Sequence, residues 1–275
     1  MSWIPPGPAL LFCPADRPDR VHKAAALADM VIIDLEDGVA PHDRPAAREA
    51  LSVSNLDPDR TMVRVNPSGT VEHALDLEAL ARTPYDIVML AKTEHPDQVE
   101  ALLPRRVVAL CETPLGVLNA VDIARARATV AMMWGAEDLV AALGGDSSRG
   151  PAGSYRDIAR HARAHVLMAA GAFGRAGIDA VHLDIADLAG LAEEATDASA
   201  SGFAGTACIH PSQVPVVRAS YEPTETDIAW ARAVLEKSRT AAGVFVFEGR
   251  MVDGPVLRQA EQILRRSDRN RREQL

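Results

Sequence analysis

The residues best placed to do chemistry in this 275-residue chain are an arginine and two carboxylates, Arg64, Glu112 and Asp138. Each sits at or just past the end of a short apolar run: Thr61-Met-Val-Arg64-Val-Asn66, Val107-Val-Ala-Leu-Cys-Glu112, and Met133-Trp-Gly-Ala-Glu-Asp138. Two carboxylates brought together from neighbouring strands repel unless a cation stands between them. Oxygen-only ligands suit Mg²⁺, which commonly takes one or two carboxylates together with waters and substrate. The other reading pairs Glu112 or Asp138 with Lys92 or Arg64 in a metal-free network. No His-x-His or His-Glu pattern points to zinc or iron. Arg64 has the planar fork that grips a substrate carboxylate at two points, or else it partners Asp34 or Glu36. Gly135-Ala136 presents little side chain, so its backbone N–H groups could approach an oxyanion; a tight strand-to-helix turn needs the same residues. His210 reads either as a base or as a hydrogen-bonded wall residue.

The elements that must position these groups alternate regularly. Apolar runs at 9–14, 30–36, 61–66, 87–93, 107–113, 130–136, 180–184 and 206–210 read as eight strands, nearly continuous in apolar residues, as buried parallel strands are. Alanine-rich amphipathic stretches at 19–29, 44–51, 71–82, 96–103, 116–126, 155–174, 186–199 and 224–242 read as the helices between and after them. The class is therefore α/β, a (β/α)8 TIM barrel, with residues 1–242 as its catalytic domain. No Gly-rich phosphate loop opens a helix after the first strand, which argues against a doubly wound sheet. Barrels place chemistry at the carboxyl ends of their strands. Six of the eight runs here finish in ionisable groups, among them Asp34, Glu36, Asp37, Arg64, Lys92, Glu94, Glu112, Asp138 and His210. Residues 243–275 exceed what eight units need. They predict a hairpin turning near Glu248-Gly249 and then a helix over 256–266, serving as a barrel cap, a lid or an arm.

Composition narrows the classes further. The chain is 48% hydrophobic and 24% charged, with 29 basic against 38 acidic residues and a net charge of −9, which excludes a disordered chain and disfavours a nucleic-acid partner. The one basic cluster, Arg265 to Arg272, reads as a solvated helix end. Cys13, Cys111 and Cys208 are odd in number, widely spaced and set in apolar runs, so neither a disulfide framework nor structural zinc is expected. The N-terminus lacks the pattern of a secretory signal, and no run approaches the ~18 apolar residues of a membrane span. A soluble cytoplasmic protein is the expectation.

Taken together, the strings LFCPADRPDRVHKAA, IIDLEDGVAPHDRPAAREAL, VRVNP, KTE, CETPLGVLNAVDIA, WGAEDL, CIHPSQV and FEGRMVDGPVLRQAEQIL resemble the citrate lyase β-subunit-like proteins of the HpcH/HpaI aldolase family. The resemblance runs from the first strand to the final helix. It implies a Mg²⁺-dependent carbon–carbon lyase, stand-alone in type, cleaving a 3-hydroxyacyl-CoA such as citramalyl-CoA or malyl-CoA into acetyl-CoA and a 2-keto acid. Glu112 and Asp138 match the family's metal ligands, and Arg64 matches the arginine that holds the keto-acid carboxylate. Gly135 and Ala136 match the backbone beside the keto-acid oxygens. Asp37 falls where a supporting acidic residue is expected, with Lys92 nearby. Asp253 matches an aspartate that reaches a neighbouring subunit's site, which implies a homo-oligomer, a trimer or a dimer of trimers. Asp253 would then be the acid that protonates the acetyl-CoA enolate, and the base in the condensing direction. Arg17, Arg20 and Lys23 follow the first strand and could meet CoA phosphates, or simply form a solvated first helix. Two alternatives stand beside this reading: a citrate lyase β subunit acting on an acyl-carrier-protein thioester, and a malyl- or citramalyl-CoA thioesterase.

Overall fold

The computed structural model describes residues 3–151, 153–241 and 243–273, with side chains through 268. Eight parallel strands close into a barrel in chain order. They are β1 (Ala9–Pro14), β2 (Met30–Asp34), β3 (Thr61–Val65), β4 (Ile87–Leu90), β5 (Arg106–Cys111), β6 (Thr129–Trp134), β7 (Ala176–Asp179) and β8 (Gly205–Cys208). Leu10 of β1 pairs with Met30 of β2 on one side and Ala207 of β8 on the other, so closure removes the sheet's edges. The intervening helices are α1 (Pro18–Leu27), α2 (Arg44–Ser52), α3 (Val71–Leu80), α4 (Pro96–Glu100), α5 (Pro114–Leu118), α6 (Ala120–Arg125), α7 (Ala136–Ala142), α8 (Asp157–Ala172), α9 (Leu188–Ser201) and α10 (Gln213–Tyr221).

The sequence dictates this locally. Every residue of β2, β4 and β8 is buried, as strands covered on both faces must be. Alternate strand residues fill the barrel: Leu10, Met30, Ile32, Met62, Ile87, Met89, Val108, Leu110 and Met133 form one cluster. Each such side chain contributes about 1.5–3 kcal/mol of burial. Helix starts carry their own signals. Proline occupies the first turn of α1, α2, α4 and α5, and the Thr70, Thr113 and Asp187 side chains accept the capping N–H of α3, α5 and α9.

The seventh strand departs from the sequence expectation. It is 176–179, and the run at 180–184 is the loop beyond it. Gly177 is there for packing: a Cβ at this position would lie 2.7 Å from Leu167 Cδ1. Most strands also stop earlier than their apolar runs suggest. Asp34 and Arg64 stand at the ends of β2 and β3, and Glu36, Lys92, Glu112 and Asp138 on residues past the sheet.

The chain gathers into two compact units, Met1–Ser220 and Tyr221–Leu275. The division falls ahead of the helix that the sequence reading kept with the barrel. The second unit comprises α11 (Glu225–Ser238), the hairpin β9 (Phe245–Phe247) and β10 (Arg250–Val252), and α12 (Gly254–Glu273). Ile228, Ala231, Val234, Val252, Ala260 and Ile263 form its small core. The hairpin turns at Glu248-Gly249 as expected, with φ of 48° and 76°, the doubly positive pattern of a type I′ turn. Arg265 is exposed as expected, and the side chains of 269–272 lie outside the described residues. Among the described residues no helix is long and apolar enough to cross a membrane, and all three cysteines are free and buried.

Candidate active site

Asp34 ends β2, and Arg64 lies directly opposite it on β3. The pairing is bidentate: Arg64 Nε donates to Asp34 Oδ1 at 2.7 Å and Nη2 donates to Oδ2 at 2.6 Å. Nη1 stands 3.1 Å from Glu36 Oε2, and the guanidinium lies 4.8 Å from the centre of the Phe12 ring. Burial works against the arginine's charge, but the Asp34 and Glu36 carboxylates outweigh it and hold the guanidinium above its usual range. Arg64 thus has both of the partners that the sequence offered as alternatives to substrate binding, Asp34 and Glu36. Asp34 takes one edge of its fork, and Glu36 approaches Nη1. Asp34 is itself anchored, because Oδ1 also accepts the Glu36 N–H and Oδ2 the Gly38 N–H, both at 2.9 Å.

Lys92 links the next strand to the same cluster. Its Nζ donates to Glu36 Oε1 and to Asp37 Oδ2 at 3.0 Å, and it stands 3.3 Å from Asp138 Oδ1. Its backbone N–H donates to Glu112 Oε1 at 3.1 Å, and this double duty holds the residue in the left-handed region at φ 48°. Glu36 is only 2% exposed and bridges Arg64 to Lys92, yet the sequence reading gave it no role beyond a possible Arg64 partner. The signal was available: in Asp34-Leu-Glu36 the two acids are two residues apart and share a face. Burial pushes the Glu36 carboxyl up against the opposing pull of Arg64 and Lys92. Asp37 is also penalised by burial, but its contacts with Lys92 win and hold it below its usual range.

Glu112 closes the cluster. It is 3% exposed, and its pKa is pushed up to about 8, first by burial and then by the charge of Asp138. Arg64 and Lys92 pull it down only in part. The side chain passes directly over Gly135, where a Cβ would lie 2.8 Å from both Glu112 Cβ and Oε2. Gly135 is therefore required for close approach, and Ala136 is buried as the first residue of α7. Asp138 lies in the first turn of that helix rather than on β6. A buried carboxylate beside a second carboxylate, with the local lysine already shared among Glu36, Asp37 and Asp138, suits one added hard cation. Among the described residues no cluster of three or more His, Cys, Asp or Glu gathers at metal distance. Two carboxylates are what Mg²⁺ characteristically needs from a protein.

The remaining candidates lie on other segments of the chain. Arg17, Arg20 and Lys23 are all exposed at the start of α1, and Arg17 pairs with Asp16 at 3.2 Å. His210 is the wall residue of the two sequence readings: its Nδ1 accepts the Ser212 N–H at 3.2 Å in an exposed turn. Asp253 belongs to the second unit. It is half-buried at the start of α12, where its carbonyl accepts the Leu257 N–H at 3.0 Å.

Comparison with known proteins agrees with this geometry. The family model for HpcH/HpaI aldolase/citrate lyase matches residues 9–211. A citrate lyase subunit beta-like protein of Mycobacterium tuberculosis H37Rv is 60% identical over 95% of this chain and 96% of its own length. The human mitochondrial citramalyl-CoA lyase is 30% identical over 93% of this chain and 84% of its own. A crystal structure of the M. tuberculosis protein CitE in complex with magnesium, acetoacetate and coenzyme A superimposes with a TM-score of 0.93 at 60% identity, covering 95% of this chain and 98% of that one. Another holds magnesium and pyruvate, at 55% identity and a TM-score of 0.83, over 94% of this chain and 98% of that one. The chain belongs to the HpcH/HpaI aldolase/citrate lyase family.

Proposed function

We propose that this protein is a Mg²⁺-dependent carbon–carbon lyase that splits a 3-hydroxyacyl-CoA, such as citramalyl-CoA or malyl-CoA, reversibly into acetyl-CoA and pyruvate or glyoxylate. The observation that carries the reading is Glu112 buried against the charge of Asp138, with the Arg64 guanidinium on the same rim. Glu112 and Asp138 hold the ion, which supplies Lewis acidity toward the substrate's oxygens. Relatives with magnesium and acetoacetate or pyruvate bound support the assignment.

The chain's own residues do the rest. Two edges of Arg64 are engaged by Asp34 and Glu36, so its remaining N–H groups meet the substrate carboxylate from a fixed platform. That arrangement contributes orientation more than charge. Lys92 neutralises Glu36 and Asp37 and steadies Asp138, so acid side chains surround the ion without repelling the anionic substrate. Gly135 and Ala136 keep the space above Glu112 clear of side chain. In cleavage the hydroxyl gives its proton to solvent water, the carbon–carbon bond breaks as the keto C=O forms, and the electron pair of the broken bond passes to the thioester enolate. We assign Asp253 as the acid that protonates the enolate carbon, reaching a neighbouring copy's rim in a trimer or dimer of trimers. Arg17, Arg20 and Lys23 are exposed cations suited to CoA phosphates. We place the reaction in the cytoplasm, a reading supported by three free, buried thiols.

Product analysis tests the reading. The purified protein is incubated with citramalyl-CoA, with Mg²⁺ or with chelator, beside a Glu112→Ala control. Mg²⁺-dependent acetyl-CoA plus pyruvate, absent from the control, is the expected result. Free CoA with intact citramalate would instead make the protein a thioesterase. Inertness toward CoA esters with turnover of a carrier-protein thioester would make it a citrate lyase β subunit.

A further inference from the structure

We propose that Gly38 is a specificity-determining residue: having no side chain, it lets Asp34 lie against the 36–38 backbone and so fixes where Arg64 meets the keto-acid carboxylate. The inference rests on the lyase reading above. A Cβ built on Gly38 would stand 2.3 Å from Asp34 Oδ2 and 3.2 Å from its Cγ. The next atom is Pro14 Cγ at 3.5 Å, an ordinary contact. Gly38 is exposed and is not among the positive-φ glycines, so neither crowding in general nor backbone strain explains it. What a methyl group at this position would meet is the Asp34 carboxylate.

That carboxylate has little freedom to yield. It is 3% exposed and accepts four hydrogen bonds, two from the backbone of Glu36 and Gly38 and two from Arg64. Moving Oδ2 by the ångström or so that a Cβ demands breaks the Gly38 bond and shifts both oxygens. Arg64 then follows the carboxylate or loses one arm of the pair. Either way its free N–H edge moves relative to Glu112, and the span between the arginine and the metal carboxylates sets which 2-keto acid fits. A bidentate pair is directional, so a small displacement is felt in full.

The test is Gly38→Ala in the full-length protein, with pyruvate binding followed by calorimetry in excess Mg²⁺ and condensation followed with pyruvate and glyoxylate. Pyruvate Kd should rise by about tenfold. The ratio of kcat/KM between pyruvate and glyoxylate should change by about threefold or more, while KM for acetyl-CoA stays within about twofold. In an Asp34→Ala background the same change should add nothing, because the atom it strikes is gone. Unchanged pyruvate affinity and ratio in a folded variant would overturn the proposal. So would a parallel loss of keto-acid and thioester binding, which marks general damage to the loop. Wild-type protein that binds pyruvate but cleaves no CoA ester would sink the lyase reading alone, leaving Gly38 to be judged on the binding cycle. Wild-type protein that binds no 2-keto acid would overturn both.

Discussion

Glu112 carries the most unfavourable charge in the molecule's active rim, and its cost has a sign. Its ordinary value is 4.5 and the folded value is about 8, so the native state binds more protons than the unfolded chain between those limits. This acid therefore erodes stability as pH rises through that window. If Glu112 holds Mg²⁺ as proposed, the ion needs the carboxylate, so below about pH 8 its binding should displace a proton. Apparent Mg²⁺ affinity should climb about tenfold per pH unit toward 8 and then level off. Titration calorimetry in two buffers of unlike ionisation enthalpy would reveal the released proton, and a flat pH profile would contradict it. Glu112→Gln should abolish the pH dependence and lower turnover by about a hundredfold or more. Arg64→Lys tests geometry rather than charge. An ammonium cannot take Asp34 at two points and still present a planar edge, so the keto-acid KM should rise about tenfold or more with thioester affinity retained.

Scale matters for what was legible. The rim residues were readable at the residue level because ionisable groups follow apolar runs at a fixed place. Asp34 and Glu36 were also legible as possible partners of Arg64, but the bidentate geometry of the pair comes from the β2–β3 register, which no local pattern encodes. At the level of elements, seven strands were located to within a few residues. β7 was displaced because its four residues, Ala176-Gly-Ile-Asp179, include only one large apolar side chain. A strand packed tightly under its helices needs small residues, and small residues erase the signal by which buried strands are found. The same fact predicts a mutational effect. Gly177→Ala should destabilise the fold by about 1–3 kcal/mol, since the new methyl meets Leu167 and Phe203. A denaturant melt should move while Mg²⁺ affinity stays constant; a shift in metal affinity instead would mean that β7 reports to the site.

For the whole molecule, the assignment of Asp253 makes a claim about assembly. If it serves a neighbouring copy's rim, Glu112→Gln and Asp253→Asn proteins are each nearly inactive. Mixed and allowed to exchange subunits, they should recover activity, because some sites then draw an intact ligand pair from one copy and an intact acid from another. A mixture no better than its parents, with exchange verified, would place Asp253 in its own chain's chemistry or in none. The circular order of the strands bears on how such a chain is made. Asp34, Glu36, Arg64, Lys92, Glu112 and Asp138 are all delivered between residues 34 and 138, but the wall closes only when Thr206–Cys208 pairs with Ala9–Leu11. During synthesis, roughly seventy residues pass between Asp138 and the strand that seals the cylinder, a lag of several seconds at ~5–20 residues per second. Until then these side chains face water, where repulsion between the acids is screened. The electrostatic strain is imposed at the final step, by the same pairing that completes the core.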